Sequence, residues 1–199
     1  MEKELKYKIL NEDDYINVFD TLKKKSKFTV SIQENHYYDT ESMLLLMNNS
    51  ILRVRIEKEG VLITFKKQKD VSDGYFVSEE TEEICDLDTF QKVLTGEKYI
   101  LDILGSECRK IIENIIGNSK LILIGKSETE RKTFYYKKMK FELDKTNFGK
   151  GSIDYEIEVE SFNEKKARNK LSALFRKLKI EYQIQKKTKY QRFLELNKI

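Results

Sequence analysis

Several short segments of this sequence place ionisable side chains at every second position. Glu2, Glu4, Lys6 and Lys8 alternate with Leu5, Tyr7 and Ile9, and Glu156, Glu158 and Glu160 alternate with Tyr155, Ile157 and Val159. Leu52-Arg-Val-Arg-Ile56 repeats the pattern with cations, and Thr64 with Lys66 follows it at the same spacing. Side chains of a β-strand point alternately to opposite faces, so each segment carries its charges on one face and its apolar residues on the other. A charged face can simply meet water. Here, however, the signs are sorted, with acids on the first and second-last strands and bases on the middle ones. If these strands share one sheet closed on itself, anionic and cationic faces look at each other across a polar interior. Carboxylates gathered there would repel and raise one another's pKa unless a hard cation neutralised them. Oxygen ligands without histidine or thiolate suit Mg²⁺ or Mn²⁺, and Mg²⁺ completes its shell with water and substrate phosphate. Arg53, Arg55, Lys66, Arg131 and Lys189 are more cations than one phosphate requires and suit a chain of phosphates.

The residue inventory removes other chemistries. One histidine, His36, leaves no paired imidazoles and no three-histidine metal site. Neither G-x-x-x-x-G-K-[ST] nor G-x-G-x-x-G occurs, so a bound phosphate must be held by side chains. Cys85 and Cys108 have neither disulfide-framework nor zinc-ligand spacing and are expected as reduced, packed thiols. Asp144 to Gly149 imitates the start of a calcium-binding EF-hand loop, but Phe148 cannot ligate and Tyr155 stands where the closing Glu belongs. The 199 residues suit one domain, 1–199, and a charged content of 36% among plentiful apolar residues indicates a globular chain. No apolar run approaches the roughly 18 residues of a membrane span, and no signal-peptide pattern opens the chain, so a cytoplasmic protein without membrane contact is expected. A net charge of +4, from 38 bases and 34 acids, is too balanced to argue for nucleic acid.

The elements that must position these residues follow from period and punctuation. Asn11 caps a helix through Tyr15, Val18, Phe19 and Leu22 to Lys23-Lys-Lys25, and residues 27 to 39 read as a strand. Asp39 or Thr40 caps a short helix reaching Met47. The strand 51–57 then turns at Lys58-Glu-Gly60 into Val61 to Lys66, and a turn at Asp73-Gly74 precedes Tyr75 to Ile84, where Glu80 and Glu82 share a face. Residues 86 to 116 change to helical period, giving two or three helices. Leu121 to Tyr136 reads as one long strand bent near Gly125, with Met139 to Asp144 as its hairpin partner and Glu142 on the face of Asp144. After the second carboxylate strand come a helix over 164–178 and a basic tail, Lys186 to Leu196. The expectation is an α+β fold, an eight-stranded antiparallel closed β-barrel (tunnel) with helices packed outside, since closure removes exposed edges.

These segments together resemble the CYTH domain, the triphosphate tunnel metalloenzyme family. Glu2-Lys-Glu-Leu-Lys6 matches its E-x-E-x-K hallmark, and His36-Tyr-Tyr-Asp-Thr40 is similar to its Y-F-D-T. Leu52-Arg-Val-Arg55 is similar to L-R-x-R, Ile63-Thr-Phe-Lys66 to L-T-x-K, Tyr155 to Glu160 to E-x-E-x-E, and Lys187 to Arg192 to the closing K-x-K-x-x-R. Ser78 departs from the middle R-x-E-x-E, standing where an arginine is expected before Glu80 and Glu82. The resemblance implies metal-facing acids at Glu2, Glu4, Asp144, Glu156 and Glu158, and phosphate-facing bases at Lys6, Arg53, Arg55, Lys66, Arg131 and Lys189. Catalytic candidates are Lys6, Lys66 and Glu158. It implies an Mg²⁺- or Mn²⁺-dependent hydrolase of a small triphosphate, tripolyphosphate first and thiamine triphosphate second, acting as a monomer or homodimer without nucleic acid. The rival readings are a cyclase making cyclic AMP from ATP and a non-catalytic barrel that binds polyphosphate or nucleic acid.

Overall fold

Alternation of charged and apolar residues becomes strand in every segment where it occurs. The computed structural model describes residues 1–58, 60–136 and 138–199. Its strands are β1 (Glu2–Ile9), β2 (Phe28–Thr40), β3 (Ser50–Glu57), β4 (Gly60–Ser72), β5 (Tyr75–Cys85), β6 (Leu121–Tyr136), β7 (Met139–Asn147), β8 (Ile153–Glu160) and the short β9 (Tyr182–Ile184). They form one sheet in the order β5-β4-β3-β2-β6-β7-β8-β1-β9, and β5 also pairs with β1. That extra pairing, Glu2 opposite Ser78 through Leu5 opposite Tyr75, closes eight strands into an antiparallel barrel with the helices outside, an α+β fold. The expected turn at Lys58 to Gly60 includes Glu59, which lies outside the described residues. β9 was not expected: its three residues, all exposed, are too few to show a period, and it exists by pairing with β1, Tyr7 opposite Ile184.

The helices are α1 (Glu12–Lys23), α2 (Leu44–Met47), α3 (Leu87–Leu94), α4 (Ser106–Ile116), α5 (Glu164–Leu178) and α6 (Lys189–Asn197), with a 3₁₀ turn at Ile100–Ile103. None is long and apolar enough to cross a membrane. Asn11 caps α1 as expected, its Oδ1 accepting from the Asp14 amide at 2.8 Å. For α2 the work is shared, because its own first flanking residue, Met43, is left-handed and caps nothing. Instead Asp39 accepts from the Leu45 and Leu46 amides, and Thr40 Oγ1 from that of Leu44.

The chain divides into two compact units, one of residues 1–32, 69–78 and 128–199, the other of 33–68 and 79–127. In the first, the apolar faces of β1, β7 and β8 (Leu5, Tyr7, Phe141, Leu143, Ile157, Val159) pack against Tyr15, Val18 and Leu22 of α1 and Ala167, Leu171 and Phe175 of α5. In the second, Leu52 and Val54 of β3 and Val61, Ile63 and Phe65 of β4 pack against Phe90 of α3 and Cys108, Ile112 and Ile116 of α4. Each unit therefore covers one sheet face with helices and leaves the other face polar. Both cysteines are free, and burial pushes the Cys108 thiol up to about 12, as suits an inert packing residue.

Candidate functional site

Strand register in the first unit aligns the charged positions across four neighbouring strands. Lys6 on β1 lies opposite Glu158 on β8, Glu158 and Glu156 lie opposite Glu142 and Asp144 on β7, and Asp144 lies opposite Arg131 on β6. Directly opposed residues on one face are near neighbours, so this pairing concentrates the charges. The Lys6 ammonium bridges Glu4 at 2.9 Å and Glu158 at 3.0 Å, above the Phe76 ring. Arg131 forks onto both oxygens of Asp144, at 2.8 and 2.6 Å, and also reaches Glu142 and, at 2.9 Å, Glu158. α6 adds a further cation. Its capping box, Thr188 with Gln191, sets its start, and Lys189 in the first turn meets Asp144 at 2.7 Å, Glu156 at 2.7 Å and Glu158 at 2.5 Å. One turn on, Arg192 holds Asp154 at 2.9 Å and Glu156 at 3.0 Å.

Burial and charge pull these groups in opposite directions. Burial opposes the charge of Lys6, but Glu158, Glu4 and Glu156 outweigh it and hold its pKa well above the ordinary lysine value. Glu158 is the mirror case: burial is overcome by Lys189, Lys6 and Arg131, which keep its carboxyl well below the usual range. Asp144 is likewise lowered, against burial, by Arg131 and Lys189. At Glu156 burial prevails, and with the neighbouring Glu158 it raises the carboxyl despite Arg192 and Lys189.

Asp144, Glu156 and Glu158, all buried, each offer an oxygen within 4.8 Å of the others. This oxygen-only donor set fits a hard divalent cation such as Mg²⁺ or Mn²⁺. Of the remaining expected metal-facing acids, Glu4 joins the group through Lys6, while Glu2 accepts from Ser78 Oγ at 3.3 Å. Ser78 thus touches an acid of the hallmark where the family carries an arginine.

The second unit holds the other expected bases. Arg53, opposite Thr64, donates to its hydroxyl at 3.2 Å, and Arg55 donates to Asn35 Oδ1 at 2.9 Å with Glu57 at 3.5 Å. Lys66 shares their face and pairs with Glu80 at 2.8 Å, whereas Glu82 is exposed. Sequence reasoning left Glu142, Asp154, Arg192 and Asn35 out of the site. Glu142 was accessible from its spacing to Asp144, and Arg192 from the closing motif. Asp154 was likewise accessible from its spacing to Glu156, whereas Asn35 carries no such signal, since only its partner Arg55 gives it a place.

The chain belongs to the CYTH domain family, whose pattern matches residues 1–194. Among solved structures it resembles HpAC1 from Hippeastrum, a proposed adenylyl cyclase that reveals a dominant triphosphatase activity, at 23% identity and a TM-score of 0.88, over 98% of this chain and 96% of that one. A proposed adenylate cyclase from Bacillus halodurans matches at 23% identity and a TM-score of 0.73, over 97% and 99%. The PH1819 protein from Pyrococcus horikoshii matches at 19% and 0.63, over 98% and 99%. At these identities the likeness shows the fold. No curated protein sequence matches the chain significantly.

Proposed function

We propose that this chain is an Mg²⁺- or Mn²⁺-dependent hydrolase of a small triphosphate, with tripolyphosphate as first substrate and thiamine triphosphate as second. The observation that carries this reading is the buried nest of Asp144, Glu156 and Glu158 with Lys6, Arg131 and Lys189 bound around it. The three acids, with Glu2 and Glu4, would hold the metal, which supplies charge neutralisation and polarisation of the phosphoryl oxygens. Lys6 orients the scissile phosphate, while Arg131 and Lys189, and likewise Arg53, Arg55 and Lys66, take phosphate oxygens and stabilise charge on the departing diphosphate. Glu158, kept ionised by Lys189, Lys6 and Arg131, or a neighbouring acid accepts from the attacking water and aligns it. The dominant triphosphatase activity of HpAC1 agrees with hydrolysis over cyclisation.

The test is phosphate release from tripolyphosphate, thiamine triphosphate and nucleoside triphosphates with Mg²⁺ or Mn²⁺, alongside cyclic AMP formation from ATP. Phosphate release without cyclic AMP is expected, with Glu158→Gln lowering kcat by about 10²-fold or more. Cyclic AMP without phosphate release overturns the reading in favour of a cyclase, and tight binding without turnover overturns it in favour of a binding module.

A further inference from the structure

We infer that Lys189 is a built-in cation of the acid nest, which must withdraw before a divalent ion can enter, so that α6 sets the site's affinity for metal. This deepens the metal-dependent reading above and rests on it. Among the described cations around the cluster, Lys6 bridges Glu158 and Glu4, Arg192 binds Glu156 and Asp154, and Arg131 grips Asp144, Glu142 and Glu158. Lys189 differs, because its single ammonium reaches all three of Asp144, Glu156 and Glu158 within 2.7 Å. An ammonium has three N–H donors, and here each has a carboxylate to meet. The three oxygens lie within 4.8 Å of one another, which leaves room for one cation among them. A divalent ion bound to those oxygens would share a water-poor site with the Lys189 charge, so the two compete for the same ligands.

α6 permits that exchange without being dismantled. Thr188 and Gln191 close its first turn, and Arg192 anchors it on Asp154 and Glu156. Lys189 can therefore leave by turning its flexible four-carbon stem while the helix start stays in place. The ammonium then lacks its acceptors, and the oxygens of a phosphate chain replace them. Metal and triphosphate consequently bind with positive coupling, each more tightly when the other is present, whereas metal alone is held weakly.

The experiment is Mn²⁺ titration of the full chain, followed by electron paramagnetic resonance of the free ion, for the unaltered protein, Lys189→Met and Lys6→Met. Both variants remove one positive charge from the cluster, but only the first empties the nest. Lys189→Met is expected to bind Mn²⁺ about tenfold or more tightly than Lys6→Met does. In the unaltered protein, acetylation of the Lys189 amine, read by mass spectrometry, is expected to speed up several-fold when Mn²⁺ is added. That second measurement decides the matter if a variant does not fold. Equal Mn²⁺ affinity in the two variants, or Lys189 labelling that Mn²⁺ leaves unchanged, overturns the exchange while leaving the metal site standing. Failure of all three proteins to take up Mn²⁺ overturns the metal-dependent reading and the exchange with it.

Discussion

His36 is the only imidazole in the chain, and it is spent on structure. Its Nε2 lies 2.6 Å from Glu34, and its ring meets Phe90 edge-on at 5.3 Å between centroids. Burial lowers its pKa below the ordinary value and prevails over the pull of Glu34. The folded state therefore binds this proton less readily than the unfolded state. His36 stability is fully present above the unfolded pKa of about 6.5 and is lost as pH falls below it toward the depressed folded value. His36→Gln should accordingly flatten the change in urea midpoint between neutral pH and mildly acid pH; parallel curves for the two proteins would discard this account. Among the site residues, the alternation of Glu2, Glu4 and Lys6 or of Glu156 and Glu158 was legible because a two-residue period alone tells which side chains share a face. Asn35, which accepts from Arg55, was not, because nothing in its own neighbourhood marks it as a partner.

The β4–β5 turn shows how an element holds a functional side chain. Asp73 and Gly74 both have positive φ, 45° and 79°, as a tight hairpin turn requires. The Gly74 carbonyl accepts from the Lys6 amide at 2.8 Å, and Arg168 of α5 donates to the carbonyls of Ser72 and Asp73 and to Tyr7 Oη. A Cβ at position 74 would lie 2.8 Å from the Lys6 carbonyl oxygen and 2.9 Å from Ile184 Cγ2. Gly74→Ala is expected to cost about 1–3 kcal/mol, from the left-handed backbone and this backbone clash together. Chemical denaturation measures it, and a loss below about 0.5 kcal/mol, the level of a neutral surface change, would mean the turn yields freely. The Asp-Gly pair announced this turn in the sequence. β9 announced nothing, because a three-residue strand has no period to read and depends wholly on the edge of β1 that it joins.

At the scale of the whole molecule, a ligand that binds only the folded chain raises its stability by mass action. Mn²⁺ with tripolyphosphate at a hundredfold excess over Kd should contribute about 2.7 kcal/mol, a rise in Tm of roughly 5–10 °C for a chain of this size. Removal of the metal with a chelator should reverse it, and an unchanged Tm under saturating conditions would count against binding. By itself the sequence determined the strands and helices other than β9, which it did not mark, and α6, which it read as a basic tail, with the polar and apolar face of each and the family motifs those faces carry. It could do so because periodicity and turn chemistry are local properties of the chain. Only the tertiary structure decided that β5 pairs with β1 to complete the barrel, and that Lys189 lies within reach of three acids at once. Pairings between residues far apart in the chain are selected by packing, and a charge finds its counter-ion only after the strands and helices that carry both have docked.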